Sequence, residues 1–279
     1  MKTDRFALFP GCVMEAAGAE AMTAARAVAA ALDMELLDIP GWTCCGATHA
    51  QDLEPELSLV MNARNLALAE DMGLPLLTIC STCSMVLNRT RDVCNAMDDA
   101  ALEQKINRHL RVTGLQYRRS VTTTTLFREL YLRRDTLAGR RSKKLSGVSI
   151  APFYGCHTLR SGEYAEYDNP HNPKALEIMI AALGASPVTL PGRLDCCGFH
   201  GIYPAREAAM RLAGNLAEQA RSAHADALVT PCPLCQMQID MYQQTGIPVL
   251  HLPQLVGMAL NIPDGSLGLS RLLHPFRLP

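Results

Sequence analysis

Ten of the eleven cysteines in this sequence form two sets of five with almost the same spacing. The first set follows the pattern C-x31-CC-x34-C-x2-C, and the second follows C-x39-CC-x34-C-x2-C. The first set comprises Cys12, Cys44, Cys45, Cys80 and Cys83, and the second comprises Cys156, Cys196, Cys197, Cys232 and Cys235. From the double cysteine onward, equivalent cysteines are separated by a constant 152 residues. Such a regular repeat predicts an internal duplication of one structural unit.

Five thiols per unit exceed the number that a common metal site requires. Thiolates bind zinc, copper(I) and iron–sulfur clusters, and both structural zinc and ordinary [4Fe–4S] clusters take four ligands. Two adjacent cysteines reach different iron atoms of a cluster more readily than they reach one small ion. The glycine after each pair lets the backbone approach such a cluster closely. The spacing therefore predicts a five-thiolate iron–sulfur cluster in each half, and two zinc sites with a spare thiol each are the alternative.

The segments around the cysteines predict alternating strands and helices. Short apolar runs precede the leading cysteines (FALFPGC and VSIAPFYGC) and the CxxC pairs (PLLTIC and DALVTPC), and segments with helical periodicity lie between them. This alternation predicts an α/β fold with a parallel sheet in each half. The cysteines then lie at the carboxyl ends of the strands, where open α/β sheets bind their ligands. We expect one unit at residues 1–100 and a second at residues 147–279.

The segment between the two units, residues 101–146, has a different charge. Residues 105–144 contain twelve Lys or Arg and two acidic residues, Glu129 and Asp135. Apolar residues recur at helical spacing in AALEQKINRHL and LFRELYLRR. We therefore expect a helical connector with a basic face, which is either an ordinary solvated face or a docking surface for an acidic partner or an anionic substrate.

The remaining composition restricts the class of protein. The formal net charge of −1 excludes a generally basic nucleic-acid-binding protein, so no nucleic acid is expected as a partner. No apolar run reaches membrane-spanning length, and no secretory signal is recognisable, so a cytoplasmic location is expected. Dense cysteine in that compartment indicates metal or redox chemistry rather than disulfides. Cys94 lies outside both sets, and we expect it to be a buried thiol on a helix.

The repeated cysteine pattern resembles a known family. The CCG motifs, together with the strings DNPHNPKALEIMIAALGA and ALVTPCPLCQMQID, resemble the cysteine-rich CCG-domain family, and in particular the B-type subunit of heterodisulfide reductase. The resemblance implies two Rossmann-like units related by a pseudo-twofold axis. It also implies a noncubane [4Fe–4S] cluster in each unit, held by the five cysteines of that unit. Where members of the family often have a Gly-rich stretch after the second CCG, this chain has FHGIYPARE, and that segment would line the substrate cavity.

The resemblance also implies a function. It implies a catalytic subunit that reduces a disulfide or oxidises thiols in one-electron steps, within a larger electron-transfer complex such as those of sulfur-compound oxidation. The implied partners are flavin and ferredoxin-type iron–sulfur subunits, and the implied substrate is a small disulfide or thiol, or a carrier-bound dithiol. Beyond the cluster ligands, the histidines beside the motifs are candidate proton donors. These are His49, His157 and His200.

Two other functions agree with the same cysteines. The first is the cysteine-rich subunit of a succinate dehydrogenase or fumarate reductase, which passes electrons to or from quinone or thiols and contacts a membrane only peripherally. The second is a non-enzymatic zinc scaffold. The unequal first spacers, x31 and x39, also agree with two different sites, one of them zinc.

Overall fold

The first half of the chain alternates strands and helices as expected. The computed structural model describes residues 4–47 and 49–278, with the backbone alone for His49. In chain order the first half contains β1 (Asp4–Phe9), α1 (Cys12–Glu15), α2 (Ala19–Ala31), β2 (Met34–Asp38), α3 (His49–Leu53), α4 (Pro55–Met72), β3 (Leu76–Thr78) and α5 (Ser81–Ala96). Helix α4 has proline in its first turn and ends at Gly73, whose φ of 63° suits glycine.

The middle segment is mainly helical. It contains α6 (Asp99–Leu102), a π-helical turn (Glu103–Asn107), α7 (Arg108–Leu110), a 3-10 turn (Arg111–Thr113), β4 (Thr123–Thr125), α8 (Leu126–Leu132) and α9 (Arg134–Arg140). The expectation of a helical connector is confirmed. The segment also supplies β4, which pairs with β3 through Leu76 and Thr123 and so completes the first sheet. The boundaries at residues 100 and 146 stay a prediction.

The second half repeats the order of the first. It contains β5 (Ser149–Pro152), α10 (Cys156–Arg160), a 3-10 turn (Gly162–Glu166), α11 (Ala175–Ala182), β6 (Ser186–Pro187), a 3-10 turn (Phe199–Gly201), α12 (Arg206–Ser222), β7 (Ala227–Thr230), α13 (Pro233–Met241), β8 (Val249–His251), α14 (Leu252–Ala259) and two 3-10 turns (Asp264–Ser266 and Leu269–Arg271). Helix α11 is followed by Gly184, at a φ of 90°.

Two parallel sheets with the same strand order confirm the predicted α/β fold. The first has the order β2-β1-β3-β4 and the second β6-β5-β7-β8. In the first sheet Ala7 is opposite Leu37 on β2 and Leu76 on β3, and in the second Ile150 is opposite Pro187 on β6 and Ala227 on β7. Because the strand order reverses direction at β1 and at β5, each sheet opens a crevice at its carboxyl edge there.

The two halves pack against each other through two pairs of helices. Helix α2 of the first half contacts α14 of the second, and α5 contacts α10. One apolar core runs through the first of these contacts, since Val28 of α2 and Val256 of α14 belong to the same buried cluster. The second contact brings the helix after the first CxxC pair beside the helix that begins at Cys156.

Several basic residues of the connector form ion pairs within the chain. Arg118 lies 2.9 Å from Asp71, and Arg119 lies 3.1 Å from Asp99. Arg133 pairs with Asp4 at the start of β1 and with Glu129 at 2.6 Å. These charges hold the connector to the first half, so a docking surface would have to rely on the other basic residues of the segment.

Candidate metal-cluster site

The five cysteines of the first set lie together at the carboxyl ends of β1, β2 and β3. Cys12 begins α1, the Cys44–Cys45 pair lies in the loop after β2, and Cys80 precedes α5, whose first turn contains Cys83. The Sγ atoms of Cys12 and Cys44 are 3.4 Å apart, and those of Cys45 and Cys83 are 3.5 Å apart. All five side chains line one cavity of about 220 Å³.

The second set has the same arrangement at β5, β6 and β7. Cys156 begins α10, the Cys196–Cys197 pair follows β6, and Cys232 precedes α13, whose first turn contains Cys235. The thiols pair as in the first set, because Cys156 hydrogen-bonds with Cys196 and Cys197 with Cys235. These five side chains line a much smaller space, of about 10 Å³. The fold therefore brings together both predicted sets, but the space beside the first set is the larger.

Glycines allow the backbone to approach the thiols of both sets. Gly11 and Gly155, each directly before a leading cysteine, have φ values of 79° and 76°. A Cβ atom on Gly11 would lie 3.1 Å from Cys83 Sγ, and one on Gly155 would lie 2.9 Å from Cys235 Sγ. A side chain at Gly155 would thus collide with a thiol, and one at Gly11 would press against a thiol. At both positions a side chain would also strain the backbone, so both favour glycine.

Hydrogen bonds among the thiols shift their pKa values in the same way in the two sets. The bond with Cys12 lowers the pKa of Cys44 to about 2, and the bond with Cys156 lowers the pKa of Cys196 to about 2. The same bonds raise the pKa of Cys12 and of Cys156. Since the thiolate is the form that binds metals, the first cysteine of each pair readily ionises to the form that binds a metal.

The two sets meet at their CxxC cysteines. The thiols of Cys80 and Cys232 lie close enough across the contact between the halves to shift each other's pKa, and both residues are buried. Four side chains line both cysteine cavities: Thr82, Phe199, His200 and Leu234. A redox group bound by one set would therefore lie close to a redox group bound by the other, with the thiols of Cys80 and Cys232 between them.

The donor set fits a thiolate-bound iron–sulfur group. Sulfur is the donor atom of every residue in the two predicted sets, and soft thiolates are the usual ligands of iron–sulfur clusters. Because Gly11 and Gly155 have no Cβ atom, the backbone lies directly beside the sulfur atoms at both sites. Within residues 4–47 and 49–278, no three His, Cys, Asp or Glu side chains are arranged around one point suited to a single metal ion.

Comparison with protein families identifies the repeated unit. The cysteine-rich domain (CCG) matches residues 6–88 and again residues 150–240. The chain belongs to the CCG family. The resemblance inferred from the cysteine spacing is thus confirmed, and each match contains one complete set of five cysteines.

Relatives of this CCG protein are subunits of reductases. It is 43% identical to the 8-methylmenaquinol:fumarate reductase membrane anchor subunit of Wolinella succinogenes, over 95% of each chain. It is 26% identical to the B-type subunit of the ferredoxin/F420H2-dependent CoB–CoM heterodisulfide reductase of Methanosarcina acetivorans, over 96% of this chain and 93% of the relative. It is 28% identical to a protein of Archaeoglobus profundus that is named as similar to the B-type subunit of heterodisulfide reductase, over 92% and 91%.

A solved structure shares the fold. The crystal structure of a hypothetical protein from Helicobacter pylori matches with a TM-score of 0.79 at 15% identity. The match covers the whole of this chain and 53% of the other, so the chain spans about half the length of that protein. Among the described residues, no helix combines the length and the apolar character needed to cross a bilayer.

The candidate proton donors lie between the two CCG units. His157 Nδ1 is 2.9 Å from the hydroxyl oxygen of Thr82 in the first unit, and its ring centroid is 4.9 Å from that of His200. Burial, and then the charge of His200, lower the pKa of His157. His200 lines both cysteine cavities, whereas His157 lines the second. The side chain of His49 lies outside the part of the chain that the structure describes.

Two buried asparagines of α4 hold the first CCG loop, and the sequence analysis did not single them out. Asn65 accepts a hydrogen bond from Thr43 N at 2.9 Å and donates to Thr43 O at 2.9 Å. Asn62 donates to Cys45 O at 2.9 Å. The second unit has Gly214 and Ala217 at the equivalent positions, 152 residues later. The two asparagines therefore form a clamp on the CCG loop of the first unit that the second unit lacks. In the sequence, the only sign of this role was two asparagines three positions apart in a segment with helical periodicity. Their complete burial is visible only in the structure.

His251 supports the second CxxC loop and was also not predicted. It ends β8 and is 1% exposed. Burial lowers its pKa to about 4, so the ring is neutral near pH 7. Its Nε2 lies 3.2 Å from the carbonyl oxygen of Pro231, to which it donates. Pro231 directly precedes Cys232, so this hydrogen bond fixes the loop at which the two cysteine sets meet.

Proposed function

We propose that this chain is an iron–sulfur subunit of a multi-subunit reductase that exchanges electrons with a quinol. The observation that carries the proposal is the contact between Cys80 and Cys232, which joins the two cysteine sets into one continuous sulfur-lined region. A chain with two redox centres so close together is suited to splitting a two-electron substrate into one-electron steps. The relatives named as reductase subunits agree with this role.

Under this proposal the cysteines have the roles that the resemblance implied. Cys12, Cys44, Cys45, Cys80 and Cys83 hold one noncubane [4Fe–4S] cluster, and Cys156, Cys196, Cys197, Cys232 and Cys235 hold the other. When bound, these groups accept and release single electrons. Zinc in one half would leave a single redox centre, and zinc in both would leave a scaffold.

The apolar residues around the first cavity favour a quinol that binds beside the cluster held there. Among the cavity's described residues are Val13, Met14, Phe199 and Leu234, which give an apolar surface against the five thiols. Such a surface suits an aromatic quinol ring, because apolar walls with a few polar groups are typical of small-molecule sites. His200 and Tyr203 line the same cavity and place hydrogen-bonding groups beside it. The relative at 43% identity is named for a methylmenaquinol.

A disulfide or dithiol is the second candidate substrate. The heterodisulfide reductase relatives support it, at 26% and 28% identity. Cleavage of a disulfide yields two thiolates that need protons, and His157 and His200 lie between the two sets. Both candidates are two-electron, two-proton substrates, so the residues of this chain have the same tasks. They bind the substrate against the first cysteine set, exclude bulk water and transfer protons.

The proposed partners follow from the same reasoning. Electrons must pass to or from other subunits, for which flavin and ferredoxin-type iron–sulfur subunits are the expected chemistry. Contact with a quinol requires access to a membrane, which a peripheral association provides. The cytoplasmic location expected from the sequence stays a prediction.

The experiment that tests the function compares two reductants on anaerobically purified full-length chain. Reduction of its iron–sulfur centres is followed optically after addition of 2,3-dimethyl-1,4-naphthoquinol or of dithiothreitol. Faster reduction by the quinol supports the first candidate, and faster reduction by the dithiol supports the second. A chain that carries zinc and no iron, and that reacts with neither, would overturn both.

A further inference from the structure

The longer first spacer of the second CCG unit builds a feature that the first unit lacks. Residues 16–18 join α1 to α2, whereas residues 161–174 join α10 to α11. This longer connection includes the 3-10 turn Gly162–Glu166, which places Glu163 against the first unit. Glu163 is 4% exposed, and the function proposed above gives it no task.

Groups from the first unit surround the Glu163 carboxyl group. Its Oε2 accepts hydrogen bonds from Ser84 Oγ and Asn88 Nδ2, each at 3.4 Å. Its Oε1 accepts one from Thr125 N at 3.1 Å. Burial raises the pKa of this carboxyl, and the charge of Arg128 opposes the effect. A carboxyl in such a setting is ready to bind a proton.

A small polar cavity links Glu163 to the cysteine site. It has a volume of about 20 Å³, enough for one ordered water molecule, and hydroxyl groups in its lining can bind that water. The polar lining includes Ser81, Ser84, His157, Thr158, Ser161 and Glu163. Ser81 and His157 also line the space beside the second cysteine set, and Thr158 Oγ1 donates to Ser81 Oγ at 2.7 Å. The cavity therefore lies directly behind the site.

We propose that Glu163 and this cavity form a proton path between the redox site and the protein surface. The inference rests on the proposed function but is independent of which substrate is used. A quinol loses two electrons and two protons as its O–H bonds break and a quinone forms, and a dithiol loses the same as its S–S bond forms. The electrons leave through the cysteine-held iron–sulfur centres to the partner subunit. The protons leave one at a time from the substrate past Thr82, which lines both cysteine cavities, through the Ser81 hydroxyl and the cavity water to Glu163.

The surroundings of Glu163 provide the outlet. Arg128 of α8 places Nε 4.0 Å from Glu163 Oε1, and its Nη2 lies 3.4 Å from Glu166, whose side chain is 58% exposed. Arg128 Nε is buried and donates no hydrogen bond among the described residues, so it can move toward Glu163 when that carboxyl ionises. The other titratable groups that line the cavity with Glu163 are Tyr164 and Tyr167 on its own segment and His157 on α10. The charge of Arg128 then stabilises the ionised Glu163, and the proton passes to solvent on the side where Glu166 is exposed.

The test uses Glu163→Gln in the full-length, cluster-containing chain. Infrared difference spectra on electrochemical reduction should show a carboxylic C=O band that shifts in D2O and is missing in Glu163→Gln. Oxidation of 2,3-dimethyl-1,4-naphthoquinol and of dithiothreitol should both slow by about 100-fold, as expected for loss of a proton-transfer group. Glu129→Gln is the matched control, since Glu129 is a buried carboxyl of the same region, bonded to Thr124 and Arg133. It should keep the band and the rates.

Each outcome separates the proton path from the proposed function. A band that persists in Glu163→Gln, or unchanged rates and pH profile, would overturn the path. If the wild-type chain shows the band but oxidises neither probe, the path stands and the substrate proposal fails. If the Glu163→Gln chain does not retain its iron, the test uses Glu163→Asp instead. A Glu163→Asp chain that retains iron should show the carboxylic band and part of the wild-type rate, because aspartate is a shorter acid that can still bind a proton. A Glu163→Asp chain that binds iron without the band would also overturn the path.

Discussion

The thiol of Cys232, which follows the third strand of the second CCG unit, raises the pKa of the thiol of Cys80, which follows the equivalent strand of the first. The two residues occupy the same position in the duplicated sequence, 152 residues apart. Duplication alone produces two equivalent sites. The packing of α5 against α10 is what brings them together, so that Thr82 of one unit lines the cavities of both.

The glycine before each leading cysteine should be essential for cluster binding. In Gly155→Ala the new Cβ would lie 2.9 Å from Cys235 Sγ, so we expect the chain to lose about half of its iron, measured after anaerobic purification. Gly246→Ala is the matched control, because Gly246 has a similar φ of 73° with open space around it. It should cost about 1–2 kcal/mol of backbone strain and keep its iron. Equal iron in both variants would show that the close approach is irrelevant.

The asparagine clamp should affect the first site selectively. Asn65→Ala removes the three hydrogen bonds between Asn65 and Thr43, and we expect a loss of about 1–3 kcal/mol in the free energy of unfolding, measured with urea. The EPR signal of the first centre should broaden because the Cys44–Cys45 loop is less well fixed. Gln219 accepts a hydrogen bond from Gly192 N in the second unit, and Gln219→Ala removes it. This variant is the control and should alter the EPR signal of the second centre instead. The prediction fails if both variants alter the same signal.

His251 should make the stability of the chain fall at acid pH. Burial lowers its pKa from the ordinary 6.5 to about 4, so the unfolded chain binds a proton below pH 6.5 that the folded chain does not bind until about pH 4. The free energy of unfolding should therefore decrease as the pH falls from 6.5 to 4, by at most about 3 kcal/mol. Urea titrations at several pH values should show a weaker dependence in His251→Gln. An identical dependence in both chains would contradict this assignment.

The basic segment should divide into structural and exposed charges. Arg133→Glu breaks the pairs with Asp4 and Glu129, and we expect a loss of about 1–3 kcal/mol in the free energy of unfolding. Arg140→Glu, on the exposed end of α9, should change the free energy of unfolding by less than about 0.5 kcal/mol. Urea unfolding measures both. If the variants are equally stable, the ion pairs of Arg133 contribute nothing.

The sequence was informative where chemistry depends on residue type and local pattern. Cysteine spacing predicted the duplication, and apolar runs such as PLLTIC predicted β3 at its observed place. The strands Thr123–Thr125 and Val249–His251 were not predicted, because each lies beyond the last cysteine of its set and therefore outside the repeated pattern that located β3. The contact between Cys80 and Cys232 depends on how the halves pack, which spacing does not encode.

Tertiary contacts also decide the roles of the charged residues. The basic residues of the connector can be counted in the sequence. Their partners cannot be identified there, because Asp71, Asp99 and Asp4 lie far away along the chain. Glu163 is one acid among many in the sequence, and its burial against Asn88 and Thr125 is visible only in the fold. The preference for a quinol over a disulfide depends on the fold in the same way, since the apolar cavity wall combines both units.

The most direct test of the account measures iron, acid-labile sulfide and zinc in the anaerobically purified chain, together with EPR spectra of oxidised and reduced samples. Two five-thiolate centres in contact predict about eight iron and eight sulfide per chain, and a spin–spin interaction that disappears when Cys232→Ser disrupts the second centre. About two zinc per chain with little iron would contradict the central claim and leave a scaffold.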